Sequence, residues 1–206
     1  LKKTFTEDDG EPDFDTIELV LTVCGYLIYP KNENEKMFIF LGGGANGKSV
    51  LLTVLSWFFD EKTISYLTLN ELSYGFSQER LVNSRINIST EEPKAKEIES
   101  AGFKKIVSGE EIEMNPKYQK PFKFIPYTKI VIASNNKPYF GENSWAINRR
   151  LQLVEFKNRF VSATEYEKET NQLVKRIFKA QDQKKLLENL KKETSAIFNL
   201  FLDALK

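Results

Sequence analysis

Apolar positions in this chain fall into short blocks with two different periods. Val20, Leu21, Val23, Cys24 and Leu27 recur at helical spacing and predict a helix from about residue 15 to 29, with Asp15 as its N-cap. Residues 1–14 are acidic and polar and read as a linker or frayed end. After a charged turn over 30–35, the block Met37-Phe38-Ile39-Phe40-Leu41 is unbroken and apolar, as in a strand buried on both faces. Val50, Leu51, Val54, Leu55 and Phe58 then return to helical spacing. Residues 63–69 predict a second strand, and 70–83 a loop with a short helix. Ile86 and Ile88 alternate within 85–90 and predict a strand of period two.

A helix over 97–107, ended by Gly109, precedes two short runs, 111–114 and 122–125. The segment Asn115-Pro116-Lys117-Tyr118-Gln119-Lys120-Pro121 between those runs has the composition of a turn, which predicts a hairpin. Residues 129–134 and 151–156 are further strand-like blocks. From about Ala163 the pattern is helical, with one stripe at Leu173, Val174, Ile177 and Phe178 and another at Ile197, Leu200, Phe201, Ala204 and Leu205. Strands alternating with helices predict an α/β fold with a mainly parallel sheet flanked by helices. The implied division is a linker (1–14), an N-terminal helical segment (15–35), a core (36–160) and a C-terminal helical segment (161–206).

The chemistry sits at the junction of the first strand and its helix. Gly42-Gly43-Gly44-Ala45-Asn46-Gly47-Lys48-Ser49 fits G-x-x-x-x-G-K-[ST], the phosphate-binding loop of nucleoside triphosphatases. Its mechanism needs a strand, a loop rich in glycine and a helix, in that order. Glycines let backbone N–H groups close on phosphate oxygens, and the helix N-terminus adds partial positive charge. Gly42, Gly44, Ala45, Asn46 and Gly47 are thus the expected cradle for ATP. Lys48 is expected to reach the β- and γ-phosphates, and the Ser49 hydroxyl to hold Mg2+.

Composition narrows the reaction. The chain of 206 residues has no histidine, which removes a Ser-His-Asp hydrolase and a histidine base. Phosphoryl transfer suits what remains, because it relies on positioning and charge. A single cysteine, Cys24, excludes an internal disulfide, and its apolar neighbours place it in the core. No run of 18 apolar residues occurs and no signal peptide is visible, so the expectation is a cytoplasmic protein with no membrane partner. The start at Leu1 rather than Met reads as a piece of a longer chain. Net charge is only +1, so any contact with nucleic acid must come from a local patch.

Further groups fit phosphoryl transfer. Glu91 and Glu92 follow the strand ending at Thr90, with Glu91 suited to Mg2+ and Glu92 to the attacking water, or the reverse. Without the glycine loop, the same pair is an ordinary solvated turn. Asn135, after the strand 129–134, suits contact with a γ-phosphate, although Asn135-Asn136-Lys137-Pro138 is also plain turn chemistry. Arg149 and Arg150 precede a strand, and an arginine supplied from a neighbouring subunit is worth roughly 10³–10⁵ in rate. Residues 114–140 carry Lys117, Lys120, Lys123, Lys129 and Lys137 and no acid. With Tyr118 interleaved they suit a nucleic-acid backbone, or are solvated lysines. Lys104 on the preceding helix is a further candidate for nucleotide contact, or merely exposed.

The ordered set Gly42–Ser49, Ile88–Glu92, Phe103–Glu110, Phe122–Pro126, Ile132–Pro138 and Arg149–Leu151 resembles the superfamily-three (AAA+) helicase domain of phage, plasmid and poxvirus primase-helicases, over roughly residues 15–160. The acidic pair departs from the Asp-containing pairs of many relatives, and Glu110 stands where Gly-Asp is often found. The resemblance implies an AAA+-like P-loop NTPase with a β-hairpin insertion and helical N- and C-terminal segments. It implies a ring, usually a hexamer, moving single-stranded or forked DNA 3′ to 5′. Primase and DNA-binding segments would lie on the same full-length chain. Residue by residue, it implies Lys48 and Ser49 at ATP, Glu91 and Glu92 at metal and water, and Asn135 as sensor. Lys104, Lys117, Tyr118 and Lys120 would meet DNA, and Arg150 would be the inter-subunit finger, with Arg149 the runner-up. Two other readings use the same loop. One is a loader or assembly module that binds ATP without unwinding, and the other is a small-molecule kinase.

Overall fold

The computed structural model describes all residues except 8–9, 74–76, 91–97, 99, 116–119, 141–144 and 170–175. The elements in chain order are α1 (Phe14–Ile28), β1 (Met37–Leu41), α2 (Lys48–Ser56), β2 (Ile64–Ser65), α3 (Leu69–Ser73), β3 (Ile86–Ser89), α4 (Ser100–Ser108), β4 (Ile112–Met114) and β5 (Phe122–Phe124). They continue with β6 (Lys129–Ser134), α5 (Trp145–Asn148), β7 (Leu151–Glu155), β8 (Arg159–Val161), α6 (Ala163–Glu169), β9 (Ile177–Lys179), α7 (Gln183–Lys192) and α8 (Thr194–Asp203). This is an α/β fold with a central, mostly parallel sheet flanked by helices.

The five-stranded sheet has the order β2-β3-β6-β1-β7. β3 runs parallel to β2 and to β6. Met37 N donates to Arg150 O at the start of β1, and Phe156 N donates to Leu41 O at its end, so β1 and β7 also run the same way. All of β3 and β6 is buried, as is β1 up to Phe40, which is why those blocks read as unbroken apolar runs. Within β3, Asn87 is fully buried between Ile86 and Ile88. Its amide is satisfied on both sides: Oδ1 accepts from Ser65 Oγ (2.9 Å) and Leu67 N (2.8 Å), and Nδ2 donates to Leu67 O (2.9 Å). A buried amide with its partners in place pins the register of β2 against β3.

The chain falls into two compact units. The first comprises residues 1–28, 41–58 and 154–206. Within the segment 1–14, read as a linker or frayed end, Phe5 and Thr6 are buried, and the Phe5 ring meets Phe156 edge-on at 4.8 Å. The cap of α1 is Asp13, not Asp15. Thr16 N donates to Asp13 Oδ1 (2.8 Å) and Thr16 Oγ1 to Oδ2 (2.6 Å), and these bonds hold the carboxyl below its usual value. A cap must precede the first helical residue to reach these donors, and Asp15 is already inside. α1 packs on α8 so closely that a Cβ on Gly25 would lie 2.2 Å from Phe201 O. Cys24 is buried in the same helix, and burial pushes its thiol up to about 12.

Ile177 and Phe178, expected in a helical stripe, form β9 instead. β9 runs parallel to β8, with Arg159 opposite Ile177 and Val161 opposite Lys179. Two adjacent apolar residues fit either period, and the partner that decides lies outside any local window. Their stripe partners Leu173 and Val174 lie outside the described residues.

The second unit comprises residues 29–40 and 59–153. Its core joins Met37 and Ile39 of β1, Ile130 and Ile132 of β6, and Phe103 and Ile106 of α4, all at most 1% exposed. Truncating a side chain of this kind to Ala costs about 2–5 kcal/mol. The expected hairpin is present: β4 and β5 pair antiparallel, with Glu113 opposite Lys123. Phe122 and Phe124 lean on the core and Lys123 points outward to pair with Glu111 at 2.8 Å.

Candidate functional site

The glycine loop spans β1 and α2 as the motif requires. Gly44 and Gly47 have φ of 99° and 90°, which side chains rarely adopt, and Ala45 between them has a φ of 49°. Gly42 serves a different need. A Cβ there would stand 2.2 Å from Asn46 Nδ2 and 2.5 Å from Phe156 O. Beside Gly43 and Gly44 a Cβ would meet nothing within 4 Å, so this side of the loop is open.

Lys48 is buried, and its ammonium turns back into the loop, donating to Gly42 O (2.6 Å) and Asn46 Oδ1 (2.9 Å). Burial lowers its pKa. Asn46, also buried, donates from Nδ2 to Phe156 O (3.3 Å). The loop is held a third time by Phe160 N, which donates to Ala45 O (2.6 Å). Gly42, Asn46 and Lys48 thus come together, with Phe156 and Phe160 as an outer support that no local sequence signal marked. Ser49 is exposed at the first turn of α2, whose N-cap Gly47 has no side-chain capping bond. The arrangement is a backbone cradle with open space beside its glycines and one cation at its base. Such a cradle suits phosphate oxygens, and the exposed Ser49 hydroxyl suits a hard cation such as Mg2+.

The remaining candidates belong to the second unit. Asn135 is exposed directly after β6, in a turn closed by Ser134 Oγ, which donates to Asn136 O (2.6 Å). Lys104 is half-buried on α4, and Lys120 is exposed just before β5. Glu91, Glu92, Lys117 and Tyr118 lie outside the described residues. Lys129, grouped by sequence with the basic segment 114–140, is buried at the start of β6. Its Nζ donates to Tyr29 O and stands 5.7 Å from the Tyr29 ring centroid, and burial brings its pKa down to about 8.

The two arginines part company. Arg150 is buried: Nε and Nη2 donate to Ser108 Oγ (3.0 and 2.6 Å), Nη1 donates to Ala146 O (2.8 Å), and Nη2 pairs with Glu35 (3.3 Å). Arg149 is exposed, with its guanidinium 5.2 Å from the Trp145 ring centroid and 3.4 Å from Glu35. Glu35 and Trp145 carried no sequence signal; only spatial proximity reveals them. Among the described residues no cluster of metal-ligating side chains occurs, and no helix is long and apolar enough to cross a membrane.

The fold is α/β with a mostly parallel sheet, and the glycine loop leaves its inner strand β1. The chain belongs to the family described as "Family of unknown function (DUF5906)", which matches residues 40–150. It is 27% identical over 162 residues to "Putative helicase L207/L206" of Acanthamoeba polyphaga mimivirus, an alignment covering 75% of this chain and 17% of that protein. In fold it is similar to "The apo structure of NrS-1 C terminal region (305-718)", with a TM-score of 0.56, 20% identity, and coverage of 91% of this chain and 48% of that one. "The A form apo structure of NrS-1 C terminal region-CTR" gives a TM-score of 0.54 at 20% identity, with 92% and 48% covered. The chain therefore spans less than half the length of each of these relatives.

Proposed function

We propose that this chain is the ATP-driven motor domain of a replication DNA helicase. The observation that carries the reading is the buried Lys48 ammonium, set at the base of a glycine loop whose outer side is open. ATP binds with its phosphates on the N–H groups of the loop, and Lys48 exchanges Gly42 O and Asn46 Oδ1 for phosphate oxygens. Gly42 O and Asn46 Oδ1 are neutral acceptors, and an anion displaces them readily. Ser49 and Glu91 would hold Mg2+, which would supply charge neutralisation to the phosphates. Glu92 orients the attacking water, and Asn135 senses the γ-phosphate from the end of β6.

Open parallel sheets collect ligands beyond the carboxyl ends of their strands, at the point where strand order reverses. β1, which the loop follows, lies between β6 and β7 in the order. The mimivirus relative named as a helicase favours the motor over the metabolite kinase. Lys104 on α4 and Lys120 just before β5 meet the DNA strand, together with Lys117 and Tyr118. The active form is a ring, a hexamer by the family resemblance. The exposed Arg149, rather than the internally engaged Arg150, reaches the neighbouring subunit's nucleotide.

The test is ATP hydrolysis with and without forked DNA. Lys48→Ala is expected to abolish turnover. Lys117→Ala with Lys120→Ala is expected to spare basal hydrolysis and remove unwinding. Full turnover in Lys48→Ala defeats the reading. DNA-independent turnover by a monomer points to the kinase, and ATP-dependent assembly without strand separation to the loader.

A further inference from the structure

We propose that Arg149, braced by Arg150 and Lys36, receives a phosphate, and that the protein's own Glu35 carboxylate holds it when no phosphate is bound, with Trp145 as its wall. The inference deepens the role already given to Arg149 by naming what holds it before a phosphate arrives, and it rests on the helicase reading only for where the phosphate comes from.

The charges do not balance. Among the described residues, two guanidiniums share one carboxylate: Glu35 Oε2 lies 3.4 Å from Arg149 Nη2 and 3.3 Å from Arg150 Nη2, while Lys36 Nζ donates to Arg149 O. The three cations do different work. Arg150, with its side chain 8% exposed, is spent on Ser108, Ala146 and Glu35 and braces the cluster. Lys36 ties down the main chain of Arg149. Arg149 has its side chain 43% exposed and keeps one long ion pair and one ring contact.

Exposed ion pairs of this kind favour the paired state by only about 1.4- to 5-fold. A phosphate offers several oxygens to the planar guanidinium and more charge than a carboxylate, so it wins Arg149. Glu35 is not stranded by the exchange, because Ser108 Oγ (3.2 Å) and Arg150 still donate to it. Glu35 also sits at φ 47°, a left-handed conformation unusual for glutamate. Strain of this kind persists where a side chain is held for a purpose. Trp145, 76% exposed, flanks the guanidinium and reports its departure.

The experiment reads Trp145 fluorescence in the full chain carrying Trp57→Phe, which leaves it the sole tryptophan. Inorganic tripolyphosphate and a single-stranded oligothymidylate are titrated separately. The expected result is a saturable change with at least one of them. Arg149→Ala abolishes the change, and Glu35→Gln lowers its midpoint about 2- to 5-fold. Glu35→Asn, which tolerates positive φ, gives the same shift and keeps the test sound should Glu35→Gln fold poorly. The probe that responds identifies the source as free polyphosphate or strand phosphate. No response to either probe, a response that survives Arg149→Ala, or midpoints unmoved or raised in both Glu35 variants overturns the proposal. The signal needs no turnover, so a protein inactive in hydrolysis with an intact Trp145 response faults the helicase reading and leaves this site standing.

Discussion

Alanine at Gly42, Gly43 and Gly44 separates the reasons a loop contains glycine. At Gly42 the added Cβ would stand 2.5 Å from Phe156 O and 3.2 Å from Phe156 Cβ, as well as 2.2 Å from Asn46 Nδ2. The Asn46 side chain can swing away, but only by losing its bonds to Phe156 O and Lys48. Phe156 O cannot swing, because the adjoining N–H is tied to Leu41 O at 2.7 Å. Relief therefore requires two chain segments to move apart. Overpacking of this kind costs about 1–3 kcal/mol, and each lost hydrogen bond about 0.5–1.5 kcal/mol. A total of about 2–6 kcal/mol lowers the Tm of a chain of this size by roughly 4–24 °C. Gly44→Ala meets no neighbour within 4 Å, but its φ of 99° imposes a backbone cost of about 1–3 kcal/mol. Gly43→Ala meets neither obstacle and stays within about 0.5 kcal/mol of the parent. Thermal unfolding followed by circular dichroism should rank the losses Gly42 first, Gly44 second and Gly43 last. If Gly42→Ala melts within a degree or so of Gly43→Ala, the close approach to Phe156 is not what makes that glycine necessary.

Two further outcomes follow from the titratable groups. Lys129 has a folded pKa of about 8 against an ordinary 10.5, so between those values the unfolded chain binds more protons. Stability should therefore rise with pH from about 8 to 10.5 in the parent, and the rise should be absent in Lys129→Met by urea denaturation at several pH values. Asp13→Ala removes the cap of α1 and is expected to cost about 0.5–2 kcal/mol at neutral pH. Because the folded carboxyl titrates below the usual 3.8, that difference should persist above this value and vanish as pH falls through the folded pKa. A cost unchanged in acid would assign the effect to helix propensity instead.

What the sequence determined by itself is contiguous. The order of strand, glycine loop and helix over 37–56 is written in adjacent residues, so the hydrophobic period and glycine spacing suffice to read it. The hairpin was legible for the same reason: its two runs and its turn are neighbours in the chain. The tertiary structure decided everything that depends on a distant partner. Ile177 and Phe178 became a strand because β8 was there to pair with. Asn87 went inside because Ser65 and Leu67 complete its amide. Two adjacent arginines, indistinguishable as letters, were sorted by Ser108 and Ala146, which bury Arg150, while Arg149 stays exposed beside Trp145. Phe156 and Phe160, remote in sequence, hold the loop in its shape. Local pattern records what a segment can bury, and only the folded chain records which hydrogen-bond and charge partners arrive to meet it.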